Sequence, residues 1–328
     1  MKIAVLGAGA WGTAIGIHLA ARHEVTLWVR DAAQSSAIRA TRRNQRYFPG
    51  FVLPEQLDIT SDFAAAINGC ALVLVAVPTG GLRETLRRLN TARCPAPVIW
   101  LCKGFEKQHA KLPHEVCGEE LAAGVHRGVL SGPSFAEEVA RGLPTAVTLA
   151  STDGAFARVT AQQLHSTTLR IYSSDDVVGV EVGGAVKNVM AIAAGICDGL
   201  NLGLNARAAL ITRGLAEVAR LGVKLGGRGE TFMGLAGVGD LILTCTGDLS
   251  RNRRVGLKLA QGVPLADILA DLGHTAEGVY SAREVARLAS KLEVEMPITW
   301  AVCRVLDDHT TADAVVKELL QREPKAEY

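Results

Sequence analysis

Lys2-Ile-Ala-Val-Leu6-Gly7-Ala-Gly9-Ala-Trp11-Gly12 opens the chain, and residues 13–30 continue it as TAIGIHLAARHEVTLWVR. The reading is strand, turn, helix, strand. Lys2 to Leu6 is a short apolar β run, a helical stretch extends from the turn to about Arg22, and Val25 to Val29 is a second β run. Between the first two elements sits G-x-G-x-x-G in the context that gives it meaning. Gly7 allows a tight turn, Gly9 lets backbone approach a pyrophosphate, and Gly12 packs helix on strand. Ala10 and Trp11 then open a helix whose N-terminus attracts phosphate charge. A βαβ unit that binds a dinucleotide is the prediction.

The end of the second strand selects the cofactor. An acid there would hold the ribose 2′-hydroxyl of NAD, whereas an arginine accommodates the 2′-phosphate of NADP. Arg30 comes first and Asp31 second, an order that favours NADP without excluding NAD.

Residues 32–57 form a polar, arginine-rich connection, with ATRRNQRYFPGFVLP at 40–54 and turns at Pro49-Gly50 and Pro54. A helix followed by a functional loop over the cofactor is expected there. Further β runs lie at Ala71–Val77, Val98–Cys102, Gly128–Leu130 and Thr145–Ala150. Alternating β and α elements predict a parallel sheet with helices on both faces. Ligands on such sheets collect at the carboxyl ends of the strands, which here are Val77-Pro78-Thr79, Lys103-Gly104 and Ser131-Gly132-Pro133-Ser134. Lys103 is a cation placed directly after an apolar strand. Ser134, with Glu137 three residues on, has the pattern of a capping box, so helix capping and substrate contact are both open to it.

Past Ser173 the β character ends. Val177 to Leu200 reads VVGVEVGGAVKNVMAIAAGICDGL, a mostly small and apolar helix carrying one cation, Lys187. Gly183 and Gly184 each cost such a helix roughly 1 kcal/mol relative to alanine, so another backbone or a ligand must come close. A lysine in those surroundings is expensive to bury and suited to proton transfer. The alternative is a packed helix whose lysine snorkels outward. A membrane span is excluded, because the uncharged run after Asn188 is far short of ~20 residues. Helices follow at Asn205–Leu221, Leu241–Thr246, Asn252–Gln261, Pro264–Leu272, Ser281–Ala289, Pro297–Leu306 and Thr311–Arg322. Gly237-Val-Gly239 delivers Asp240. Ser250 reads as an N-cap for a helix beginning Arg251-Asn252, a ready anion site. A capped helix with a solvated basic face is the other reading.

Composition narrows the class. Of 328 residues, 48% are hydrophobic and 21% charged, as in a globular enzyme with a core in each of two domains. Lys plus Arg (35) nearly balance Asp plus Glu (33), which argues against a nucleic-acid partner. Seven scattered cysteines without C-x-x-C read as free thiols, with neither a zinc site nor a disulfide frame. The glycine-broken N-terminus makes a poor signal peptide, and a cytoplasmic protein is expected.

These blocks together resemble the bacterial NAD(P)-dependent glycerol-3-phosphate dehydrogenases. The similarity runs through GAGAWGTA, RNQRYFPG, Lys103-Gly104, SGPSFAEEVA, VEVGGAVKNVMAIAAG, NARAALITRGLAE, GLAGVGDLILTCTG, LSRNRR and AEGV, in family order from residue 1 to about 300. The resemblance implies an α/β fold: an N-terminal Rossmann-type dinucleotide-binding domain, residues 1–177, then an all-helical C-terminal domain, residues 178–328. It implies reversible reduction of dihydroxyacetone phosphate to sn-glycerol 3-phosphate with NADP or NAD, feeding glycerophospholipid synthesis. Lys187 would be the proton donor and acceptor. Substrate contacts would fall on Lys103, Gly132, Ser134, Lys187, Asp240, Ser250, Arg251 and Asn252. Cofactor contacts would fall on the Gly7–Gly12 turn with Ala10 and Trp11, and on Arg30, Lys103, Ala136, Arg251 and Glu277. No metal is implied, and a homodimer is allowed for. Asn201, in DGLNLG, stands where the family pattern has glycine. Two other readings stay open: a related dehydrogenase of another phosphorylated or carboxylated hydroxy compound, which would replace the LSRN site, and a dinucleotide sensor, which has no use for Lys187.

Overall fold

The computed structural model describes residues 1–107, 109–272, 276–307 and 310–321. It divides into two compact units, Met1–Glu106 with Lys111–Glu181, and the chain from Val182 together with a short segment at Lys107.

The first unit is built on an eight-stranded sheet: β1 (Lys2–Leu6), β2 (Glu24–Trp28), β3 (Leu57–Thr60), β4 (Leu72–Val75), β5 (Val98–Trp100), β6 (Arg127–Ser131), β7 (Thr145–Ala150) and β8 (Leu169–Ser174). Its helices are α1 (Ala10–Ala20), α2 (Ala32–Thr41), α3 (Phe63–Ile67), α4 (Thr79–Thr91), α5 (Pro113–Glu120), α6 (Ala136–Ala140) and α7 (Gly154–Leu164). Strand order is β3-β2-β1-β4-β5-β6-β7-β8. The order therefore reverses direction between β1 and β4, and the crevice at the carboxyl ends of those strands is where such sheets take ligands. Ile3, Val5, Leu72 and Leu74 are all buried, because a central strand covered on both faces must be apolar on both.

Three features depart from the sequence reading. β3 is absent from that reading and buries only Leu57 and Ile59 around an exposed Asp58, while β8, an edge strand that buries only Leu169, is there only as β character ending at Ser173. The sheet is not wholly parallel, since β7 pairs antiparallel to β6. The connection there, residues 132–144, holds only the five-residue α6, too short to carry the chain back along the strand.

The second unit is helical: α8 (Val177–Gly199, whose first turn belongs to the first unit), α9 (Gly203–Lys224), α10 (Gly229–Phe232), a π-helical turn at Leu235–Gly239, α11 (Asp240–Thr246), α12 (Arg251–Ala260), α13 (Leu265–Leu272), α14 (Glu277–Lys291), α15 (Pro297–Leu306) and α16 (Ala312–Leu320). The expected last helix reached Arg322, which lies outside the described residues. α8 begins where Asp176 Oδ1 accepts from Gly179 N at 2.9 Å. By length and composition α8 could cross a membrane, yet 94% of its most apolar stretch is buried within the protein.

The glycines of this unit explain how α8 can be so enclosed. A Cβ on Gly183 would fall on the carbonyl of Ala236, and one on Gly195 would fall on that of Arg253. On α12, a Cβ at Gly256 would strike Ile192 O. α8 and α12 thus cross backbone to backbone. Asn201, just past α8, adopts φ +55°, the left-handed conformation that asparagine tolerates better than most residues. The glycine-to-asparagine departure therefore keeps the turn.

Candidate active site

In the first unit, two of the three motif glycines are demanded by the protein itself. Gly7 has φ +120°, and a Cβ there would lie 2.9 Å from the carbonyl of Ala76. A Cβ on Gly12 would fall on Gly7 O, so α1 could not seat against the turn. Gly9 differs, because a Cβ on it would meet nothing within 4 Å. The space over it is open, and α1 starts there with no side chain capping its first N–H groups. A pyrophosphate fits that space and that charge.

The loop after α2 is tied to this turn by a residue the sequence reading quoted but did not single out. Asn44 is fully buried; its Nδ2 donates to Ala8 O at 2.8 Å and to Thr13 Oγ1 at 2.9 Å. Arg30 is exposed past the end of β2. Asp31 is the N-cap of α2 and accepts from Gln34 N at 2.8 Å. The arginine is free to meet a 2′-phosphate while the acid is occupied by its own helix.

Three further predicted residues of this unit come together beyond β5 and β6. Lys103 Nζ donates to Gly132 O at 3.1 Å, and Ser134 Oγ donates to the same carbonyl at 3.0 Å. Gly132 has φ +141°, and a Cβ there would press on Val147 Cα at 3.0 Å. The capping box does not form. α6 begins one residue late for it, with Phe135 as N-cap and Ala136 as first residue, because the Ser134 hydroxyl turns back to Gly132.

In the second unit, Lys187 lies in the middle of α8 and is only 7% exposed. Its ammonium pairs with the carboxylate of Asp240, itself 1% exposed, and donates to Thr244 Oγ1 at 2.8 Å. Thr244 in turn donates to Asp240 O at 2.6 Å. The π-helical turn ahead of α11 aims Asp240, and it packs against Gly183 of α8. A snorkelling lysine is thereby excluded. Thr244 escaped the sequence reading, although its i+4 spacing from Asp240 was the available signal.

Ser250 is the N-cap of α12, its hydroxyl accepting from Arg253 N at 3.3 Å. Arg251 is exposed at the first position of the helix. The N–H groups of Arg251 and Asn252 precede the helix's own hydrogen-bond ladder, as an anion site requires. The side chain of Asn252 is otherwise engaged. It is 8% exposed, donates to Asn188 Oδ1 at 3.0 Å and accepts from Gly278 N at 3.0 Å. That amide clamps α8, α12 and the start of α14, where Glu277 is the first residue. Arg253 is neutralised by Asp198 and Asp248, so the positive field at this helix start comes from the exposed Arg251 and Arg254 and from the backbone.

A turn built to admit a pyrophosphate, and a lysine buried against a carboxylate in a helical unit, define a dinucleotide-dependent dehydrogenase. Family models described as the N-terminus and C-terminus of NAD-dependent glycerol-3-phosphate dehydrogenase match residues 2–157 and 176–317. The chain belongs to the glycerol-3-phosphate dehydrogenase family. It is 61% identical to the glycerol-3-phosphate dehydrogenase [NAD(P)+] of Dechloromonas aromatica, covering 100% of this chain and 99% of that one. The enzyme of the same name from Nitrosospira multiformis is also 61% identical, with the same coverage. A crystal structure of glycerol-3-phosphate dehydrogenase from Coxiella burnetii superposes with a TM-score of 0.94 at 44% identity, covering 98% of this chain and 99% of that one.

Proposed function

We propose that this protein reversibly reduces dihydroxyacetone phosphate to sn-glycerol 3-phosphate with NADPH or NADH, supplying the glycerol backbone of phospholipids. The observation that carries the reading is the Lys187–Asp240–Thr244 cluster, within a chain matched to the family along almost its whole length. The bound nicotinamide supplies or accepts a hydride. The Gly7–Gly12 turn with Ala10 and Trp11 holds the pyrophosphate, and Arg30 meets a 2′-phosphate. Ala136, Lys103, Arg251 and Glu277 complete the cofactor contacts.

Lys187, as an ammonium, gives its proton to the developing alkoxide oxygen of the substrate and takes it back in the reverse direction. Before that transfer its charge lowers the energy of the oxyanion. Asp240 keeps the lysine charged in a buried setting, and Thr244 fixes the direction of Nζ. The Ser250 cap frees the first N–H groups of α12, and together with the Arg251 guanidinium they grip the phosphate. Lys103, Gly132 and Ser134 are further substrate contacts in this reading. The reading also places the enzyme in the cytoplasm, supported by seven cysteines that form no disulfide.

The test is direct. Purified protein mixed with NADPH and dihydroxyacetone phosphate should lose the absorbance of the reduced nicotinamide and yield sn-glycerol 3-phosphate. No loss with either reduced nicotinamide would overturn the proposal.

A further inference from the structure

Cys70 and Cys94 are separated in sequence by α4 and meet at one end of the sheet. β4 and β5 are parallel neighbours with Val73 opposite Val98, so the segments entering them run side by side. Cys70 enters β4 and Cys94 enters β5. Cys70 N donates to Ile67 O at 3.3 Å and Cys94 N to Leu89 O at 3.1 Å, which fixes both turns. The register and the two turns bring the thiols side by side at the same end of β4 and β5, and both are partly open to solvent. This is the amino end of the strands, opposite the Gly7–Gly12 turn at the carboxyl end of β1.

We propose that Cys70 and Cys94 form a reversible dithiol–disulfide site, closed by a hydroperoxide and reopened by a thiol reductant.

The chemistry is selective for Cys94. The neighbouring Cys70 thiol and the Ala96 N–H favour the Cys94 thiolate, so that despite partial burial Cys94 is drawn down to about 6. Cys70 moves the other way for the same reason and keeps its proton. Burial raises Cys117 and Cys197, and pushes Cys303 up to about 11 and Cys245 to about 12. In the first step the Cys94 thiolate attacks one peroxide oxygen; the S–O bond forms, the O–O bond breaks, and the departing hydroxide leaves as water after protonation. In the second, the Cys70 sulfur attacks the sulfur of the sulfenic acid; the S–S bond forms, the S–O bond breaks, and hydroxide leaves with the Cys70 proton as water. Two thiols lose two electrons, and one peroxide becomes two waters.

Full-length protein treated with a small excess of hydrogen peroxide should lose two mass units per chain, and on subsequent alkylation should take up two fewer alkyl groups than untreated protein. It should also yield a linked peptide pair containing Cys70 and Cys94, which dithiothreitol separates. Iodoacetamide at pH 6 should label Cys94 roughly tenfold faster than the other thiols, the gain in thiolate being partly offset by its weaker nucleophilicity. Cys70→Ser should leave a Cys94 sulfenic acid that dimedone traps, and Cys94→Ser should abolish both products. Dehydrogenase activity should survive closure, since the pair lies at the amino ends of β4 and β5, opposite the end of the sheet that carries the Gly7–Gly12 turn. Linkage of other cysteines at equal rate, or alkylation of Cys94 no faster than the rest, would overturn the proposal.

Discussion

Asp240, the first residue of α11, closes on the ammonium of Lys187 in the middle of α8, and Thr244 one turn later takes a second hydrogen bond from it at 2.8 Å. A cation that is 7% exposed persists only because a carboxylate meets it. Lys187→Ala should lower kcat at least ~10²-fold, the usual contribution of a positioned acid, while NADPH binding is kept. Near-normal turnover by a folded variant would remove Lys187 from the reaction. Asp240→Asn removes the carboxylate that meets the buried ammonium, so kcat should fall while NADPH binding is kept. An unchanged kcat in a folded variant would show that Asp240 serves only the fold.

Arg30 is exposed beyond β2, while Asp31 is held by Gln34 N. Arg30→Asp should therefore shift preference from NADPH toward NADH, since the 2′-phosphate loses a cation and meets a like charge. The ratio of kcat/KM for the two cofactors measures this. An unchanged ratio would mean that Arg30 merely faces solvent.

The phosphate separates the proposed substrate from every unphosphorylated ketone. Dihydroxyacetone should be a very poor substrate, because binding at a remote phosphate orients the carbonyl. Arg251→Ala should slow turnover of the phosphorylated ketone by roughly 10²-fold, with raised KM and lowered kcat, and should hardly touch dihydroxyacetone. Equal damage to both substrates would leave Arg251 with its cofactor contact or a part in the fold, and without the phosphate.

What the residue order could and could not convey is visible at these same positions. The glycine turn, Lys187 and the Ser250 cap were legible because each depends on neighbours in sequence. Asn252 was legible as part of a helix start, but the destination of its side chain was not. It joins Asn188 and Gly278 across long stretches of chain, and no local period encodes that. The Ser134 pattern misled because a capping box presupposes the helix start, and α6 starts one residue later. β8 was legible only as β character ending at Ser173, because an edge strand with one open face carries Arg170 and two serines where apolar residues would have marked it.

Glu217 on α9 is 1% exposed and accepts from Ile298 N at 2.6 Å, from Thr299 N at 3.2 Å and from Thr299 Oγ1 at 3.1 Å, all at the start of α15. Burial raises its carboxyl to about 7 despite those donors. The folded state thus holds a proton that the unfolded chain has released, so stability falls as pH rises from about 4.5 to 7 and levels off above. The loss from this residue is at most about 3 kcal/mol. The Glu181 carboxyl is raised by burial, and His114, which burial would lower, is raised by Glu181; both push in the same direction. Glu217→Gln should flatten that part of the dependence of Tm on pH. Parallel curves for variant and wild type would sink the assignment.

The backbone crossings at Gly183, Gly195 and Gly256 leave α8 without room to slide, bend or fray independently of its neighbours. Its amide protons should then exchange with solvent only when the whole helical unit opens. Lys187 rides on that helix, so any opening that frees α8 from these crossings also displaces its lysine. On heating, the proton-transfer residue and the packing that holds it should disappear together, and the catalytic lifetime of the enzyme is set by the unfolding rate of its most enclosed segment.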